Sequence, residues 1–118
     1  QALEGKKITV HGDGQQTRSF CYVDDLVDGL YKMMESKDFT GPVNLGNPNE
    51  ITIKEIAENI AQKLDGEIEL NSKPSEDREG DPQRRNPDIT LAKEKLDWQP
   101  TIELEEGLNK TIEYFKSL

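Results

Sequence analysis

The stretch Val10-His11-Gly12-Asp13-Gly14-Gln15-Gln16-Thr17-Arg18-Ser19-Phe20-Cys21-Tyr22-Val23-Asp24-Asp25 decides how this chain is read. Just before and into it, residues 7–10 alternate polar and apolar, the period of a short strand. Gly12-Asp13-Gly14 marks a turn. It lacks the third glycine and the following helix of a dinucleotide fingerprint, so it reads as a hairpin turn. Residues 17–23 are rich in β-branched and aromatic side chains and predict a second extended segment. Asp24 or Asp25 can then cap a helix whose acidic first turn suits the helix dipole.

Working outward, Gln1-Ala2-Leu3-Glu4-Gly5 reads as the last turn of a helix closed by a glycine, its beginning missing. The helix after Asp25 carries Leu26, Val27, Leu30, Tyr31, Met33 and Met34, which predicts a broad buried face. Gly41-Pro42 punctuates the chain, residues 43–45 read as a short strand, and Asn47-Pro48-Asn49 as a turn. Thr52 and Glu55 have the spacing of a capping box. The helix behind them places Ile53, Ile56, Ala57, Ile60 and Leu64 on one face and stops at Gly66. Ile68 and Leu70 flank Glu69 in another strand. Residues 71–87 contain no large apolar side chain, and a loop of that length in a compact domain is usually functional or disordered. Thr90 can cap a short helix to Leu96. A last helix spans 104–118 with Leu108, Ile112, Phe115 and Leu118 on one face. The fold class is a small α+β unit of short strands and three to four helices. Nothing in it forms the long parallel sheet of a complete α/β enzyme.

The chain has 118 residues and a net charge of −9, a length that suits one domain. Counted with Gly and without Tyr, apolar residues come to about 37%, below the usual ~45–50%. So thin a core implies marginal stability or membership of something larger. No run is long enough to cross a membrane. An acidic chain of pI ≈ 4.6 lacks the basic face of a general nucleic-acid binder. Cys21 is the one cysteine, so a reducing compartment, the cytoplasm, is expected. With a single histidine, His11, it excludes a Cys/His zinc site, and no metal site is expected.

Of 15 basic residues only Arg18, Arg78, Arg84 and Arg85 are arginine, and all four fall outside the predicted helices. The guanidinium fork grips phosphate oxygens two at a time, which lysine does not. In Arg78-Glu79-Gly80-Asp81 a phosphate-type donor stands near a carboxylate able to accept from a ribose hydroxyl, and Gly80 admits a close backbone approach. Arg84-Arg85 add a second positive cluster. In an acidic chain such clusters steer a dianion to one place, and the loop holding them is expected to be mobile until the anion arrives.

The opening stretch, with Pro42-Val43-Asn44-Leu45-Gly46-Asn47, Asp81-Pro82-Gln83-Arg84-Arg85-Asn86-Pro87-Asp88-Ile89 and Leu96-Asp97-Trp98-Gln99-Pro100, resembles the C-terminal part of the extended short-chain dehydrogenase/reductases that act on nucleotide sugars. The resemblance covers nearly the whole chain and is nearest to UDP-glucuronate decarboxylase. It implies that residues 1–118 are a nucleotide-sugar-binding domain. An N-terminal Rossmann domain, absent from this chain, would hold NAD and carry the Tyr-x-x-x-Lys pair. No catalytic residue and no cofactor would then belong to this chain alone. The parent would be a homodimer joined through that other domain.

Residue by residue, the resemblance implies that Arg18 contacts the diphosphate, that Arg78 and Asp81 hold phosphate and ribose, and that Arg85 lies near the sugar carboxylate. His11 stands where the family often has Tyr, and its ring would stack or hydrogen-bond near the nucleotide. Asn86 stands where decarboxylases usually have Lys. Three functions follow: part of a decarboxylase that oxidises C4 of UDP-glucuronate, loses carbon dioxide and returns the hydride; part of a 4-epimerase or 4,6-dehydratase; or a non-catalytic binding or assembly module.

Overall fold

In a computed structural model the described residues are 1–71 and 80–118. They form two compact units, each assembled from two separate stretches: Gln1–Arg18 with Glu50–Arg85, and Ser19–Asn49 with Asn86–Leu118. Because the stretches interleave, no one linker separates the units, and the sequence carries no linker signal.

The first unit opens with a single 3-10 turn, Ala2–Glu4, closed by Gly5 in the left-handed conformation. Strand β1 (Ile8–His11) pairs in parallel with β4 (Ile68–Asn71), Val10 opposite Leu70. Strand β2 (Thr17–Arg18) pairs antiparallel with β3 (Ile51–Thr52). The turn at Gly12-Asp13-Gly14 therefore does not close a hairpin, because the strands on either side of it join different partners. Gly14 has a positive φ of 72°, and a Cβ there would stand 2.8 Å from Lys54 Cβ and 2.9 Å from Val10 Cγ1. The glycine is required by packing inside this unit.

Helix α2 (Ile53–Lys63) begins at the capping box read from the sequence. Thr52 Oγ1 accepts from the Glu55 N–H, and Glu55 Oε2 accepts from the Thr52 N–H, each at 3.1 Å. The helix lies against β1 and β4 and buries Ile56, Ala57 and Ala61, with Val10 beneath them.

The second unit holds α1 (Val23–Glu35), α3 (Thr90–Leu96) and α4 (Leu104–Lys116). Its core is Ile89, Ala92, Leu96 and Trp98, with Met33, Phe39, Val43 and Leu45 packed around it. Residues 43–45 form no strand; Val43 and Leu45 fill this core without a ladder partner. Residues 19–23 likewise do not extend β2, which ends at Arg18.

Helix α1 reverses the expectation of a buried apolar face. Leu26, Val27, Leu30, Tyr31 and Met34 are exposed, Met34 to 83%. What α1 buries is Asp25 and Gly29. A Cβ on Gly29 would lie 2.9 Å from Leu45 Cδ1 and 3.0 Å from Trp98 Cε2, so the helix meets the core with bare backbone there, and of its apolar side chains Met33 packs against that core. Nor does an aspartate cap it: the N-cap is Tyr22, with no side-chain hydrogen bond. Asp25 instead accepts from the Thr101 N–H at 3.1 Å, the Thr101 hydroxyl at 3.0 Å and the Ile102 N–H at 2.9 Å, tying α1 to the start of α4. The Asp25 carbonyl accepts from the Trp98 indole N–H at 2.9 Å.

Thr90 is the first residue of α3, not its cap. The N-cap is Ile89, and Asp88 Oδ1, one residue before it, accepts from the Thr90 N–H at 2.9 Å and its hydroxyl at 2.6 Å. These bonds hold the Asp88 carboxyl below its usual range. Gly107 of α4 lets the Tyr22 ring approach the helix, while Phe115 and Leu118 at its far end are exposed.

Candidate functional site

In the first unit a cavity of about 300 Å³ is lined by Thr9, His11, Gln16, Arg18, Ile53 and Asp81. Strand β1 supplies Thr9 and His11, and β2 supplies Arg18. Because side chains alternate along a strand, Thr9 and His11 share one face of β1. The start of α2 contributes Ile53.

Arg18 is the main cation of this cavity. Its side chain is 20% exposed, with one Nη donating to the Thr17 carbonyl at 2.6 Å and the other 3.6 Å from Asp81 Oδ2. The latter distance is an ion-pair contact and too long for a hydrogen bond. The guanidinium is thus steered by its own strand and keeps donors for a further anion. Across the cavity, the Nδ1 of His11 is buried and has no hydrogen-bond partner among the described residues. A buried polar atom of that kind costs free energy unless a ligand or water satisfies it.

Three of the sequence-derived site residues, Arg18, Asp81 and His11, therefore meet in one cavity. Arg78 lies outside the described residues, as do residues 72–79 of the loop expected to be mobile. Arg85 is described but is not among the six lining residues.

Arg84, read from sequence as half of a free positive cluster, is engaged elsewhere. Its Nε and Nη2 donate to the two oxygens of Glu50, each at 2.7 Å. That fork holds the Glu50 carboxyl below its ordinary value of 4.5 and raises Arg84 further above its own. Sequence reasoning passed over Glu50, Gln16 and Thr9. The signals for them are weak: Thr9 and Gln16 are ordinary polar residues, and Glu50 is one of many acids in an acidic chain.

Elsewhere, Cys21 is half-buried, and burial first, then the nearby Asp25 carboxylate, push its thiol up, away from thiolate chemistry. Among the described residues no group of acids, histidine and cysteine is arranged to hold a metal ion. No helix among them is long and apolar enough to cross a membrane.

Comparison with known proteins places the chain in a family. Residues 1–111 match the GDP-mannose 4,6 dehydratase family. The chain is 50% identical over 116 residues to UDP-glucuronic acid decarboxylase 5 of Arabidopsis thaliana, covering 98% of this chain and 33% of that protein. It is 52% identical over 118 residues to UDP-glucuronic acid decarboxylase 1 of Xenopus tropicalis, covering 98% and 27%. Among solved structures, UDP-glucose 4-epimerase of Thermotoga maritima with UDP-glucose superposes with a TM-score of 0.87 at 34% identity, over 98% of this chain and 37% of that one. UDP-glucuronic acid 4-epimerase of Bacillus cereus, in complex with UDP-glucuronic acid and NAD, gives 0.82 at 31% identity, over 98% and 37%. The chain spans a quarter to a third of the length of the decarboxylases it matches. From motif, fold and identity together, the chain belongs to the GDP-mannose 4,6 dehydratase family, among the extended short-chain dehydrogenase/reductases.

Proposed function

We propose that this chain is the nucleotide-sugar-binding portion of a UDP-glucuronate decarboxylase, with Arg18 on the diphosphate, Asp81 on the ribose and His11 beside the nucleotide. Arg78 and Arg85 complete the anion site in this reading. The observation that carries it is the largely buried Arg18 guanidinium, aimed by its own strand, in one cavity with Asp81 and the unsatisfied His11 Nδ1. The identity to decarboxylases supports the reaction class. The epimerase and dehydratase neighbours share the fold, so part of a 4-epimerase or 4,6-dehydratase is the second reading.

The residues described do not fit a dinucleotide. Gly14 is explained by Lys54 and Val10 pressing on it, and a Cβ on Gly12 would meet nothing. NAD would belong to an N-terminal Rossmann domain, where it supplies the hydride chemistry. This chain binds and orients the sugar nucleotide, and alone it does not turn over. The exposed apolar face of α1, Val23, Leu26, Val27, Leu30, Tyr31 and Met34, is where we seat that domain. Its support is that relatives carry two thirds or more of their length beyond the matched part, and that so contiguous an apolar face is unusual on a lone soluble domain. A homodimeric parent in a reducing compartment completes the reading.

The test is calorimetric titration of the chain with UDP. Arg18→Ala is expected to lose about 1.5–3 kcal/mol, the worth of a charge-assisted bond, or roughly 10- to 150-fold in affinity. Arg18→Lys recovers part of the loss, since an ammonium cannot fork across two oxygens. An Arg18→Ala variant that binds UDP within twofold of wild type overturns the assignment. Release of carbon dioxide from UDP-glucuronate by the chain with NAD alone overturns the claim that it is only the binding portion.

A further inference from the structure

We infer that Glu50 and Arg84 are positioning residues for the nucleotide site: their fork, joined to Thr17, sets where Asp81 stands against Arg18. The inference rests on the proposed reading of that site. Thr17 is the junction. Its hydroxyl donates to Glu50 Oε1 at 3.3 Å, its N–H donates to the Gln83 carbonyl at 2.8 Å, and its own carbonyl receives Arg18 at 2.6 Å. Arg84, the residue after Gln83, closes the arrangement on both oxygens of Glu50. The stretch from Asp81 to Arg84 is thereby fastened to β2 at one point and to the residue before β3 at another.

Asp81 needs such fastening. Its contact to Arg18, at 3.6 Å, is too loose to set its own position. Arg84 is 73% exposed and Glu50 19%. An exposed pair contributes little to global stability, but a bidentate fork fixes direction as well as distance. The pair also occupies Arg84, so this cation is kept from competing with Arg18 for the anion.

The two roles open to Arg84 predict opposite signs. If Arg84 and Glu50 position the site, Glu50→Gln and Arg84→Gln each weaken UDP binding about fivefold, as expected for coupled contacts. The double variant is then no worse than either single one, and Arg84→Lys recovers part of the loss. If Arg84 itself grips phosphate, Glu50→Gln frees it and binding stays equal or tightens; that result overturns the proposal. Thermal midpoints of all variants are measured alongside, and a fall in UDP affinity that only tracks lost stability also overturns it. Amide hydrogen exchange without ligand separates this inference from the functional reading. The Thr17 N–H is expected to exchange about tenfold faster in Glu50→Gln than in wild type, more than the small fall in its midpoint accounts for. Unchanged Thr17 exchange defeats the clamp even if UDP binds. Failure of the wild-type chain to bind UDP defeats the functional reading, and the clamp is then judged on exchange alone.

Discussion

In α2 the apolar stripe of Ile56, Ala57 and Ala61 is covered, with β1 and β4 beside it. In α1 the stripe of Leu26, Val27, Leu30, Tyr31 and Met34 faces outward, and the helix is held by Asp25, Gly29 and the Trp98 indole instead. The two helices read alike as sequence. An amphipathic pattern states that a helix needs a cover and is silent on which part of a protein provides it. Where the cover lies within the same unit, the pattern predicts burial correctly. Where it does not, the backbone-facing residues, here a glycine and a hydrogen-bonded carboxylate, reveal which side the chain itself uses.

The strongest way to break this comparison is through Trp98, which anchors α1 through the Asp25 carbonyl and the space at Gly29. Trp98→Ala is expected to cost about 3–5 kcal/mol, enough to unfold a chain with so thin a core. Denaturant titration followed by circular dichroism reads it. A loss below 1 kcal/mol or so would mean that the indole and its bond to Asp25 do not hold the second unit together.

The comparison is sharpened by a matched pair of truncations. Ile56→Ala in α2 is expected to lose about 2–4 kcal/mol. Leu30→Ala in α1, with its side chain 52% exposed, should stay within about 0.5 kcal/mol of wild type. Equal losses would show that α1 is covered in solution, for instance by a second copy, which sedimentation at several concentrations would detect.

What was legible in the sequence divides along the same line. The Thr52–Glu55 box, the Gly5 cap and the strand around Glu69 depend on residues a few positions apart, and all three stand in the structure, although Leu70 is exposed beside Glu69. Strand partners do not depend on such neighbours. β1 pairs with a strand some 60 residues away, so the turn at Gly12-Asp13-Gly14 could not disclose that it joins two different sheets. Asp25 reads as one more acid at a helix start until residues 101 and 102 are brought to it. The candidate site was legible in part: arginine among lysines marked Arg18 with the other three, and an acid three residues after Arg78 marked Asp81, which the structure sets beside Arg18. Which arginine was already engaged was not, because Arg84 finds Glu50 34 positions away.

The cap supplies a smaller contrast. α2 starts on a reciprocal side-chain box, whereas α1 starts at Tyr22 with none. Thr52→Ala is expected to cost about 1 kcal/mol, read as a shift of the denaturation midpoint at constant slope. No shift would mean that α2 is held by its buried face alone.

The smallest effect is in acid, and each unit contributes one carboxylate to it. Glu50 is held below its ordinary value of 4.5, by the Arg84 fork first, and Asp88 below its ordinary 3.8, by the Thr90 hydroxyl first. A depressed carboxyl binds protons more readily in the unfolded chain than in the folded one. Its stabilisation is therefore fully present above the ordinary value and is lost as the pH falls through the lower folded value. Asp88 is exposed, and the Glu50 carboxylate, though 19% exposed, pairs with a guanidinium that is 73% exposed, so screening keeps each contribution small. Urea midpoints measured between about pH 6 and about pH 3 should fall toward acid for wild type. Glu50→Gln should start lower and fall less steeply, since it has already lost the first unit's share. Asp88→Asn should do the same for the second unit without altering UDP binding, whereas Glu50→Gln alters both. If the wild-type and Glu50→Gln midpoints run parallel across the whole range, the Arg84 fork does not persist in solution, and the contrast between a clamped Asp81–Arg84 stretch and an uncovered α1 loses its polar half.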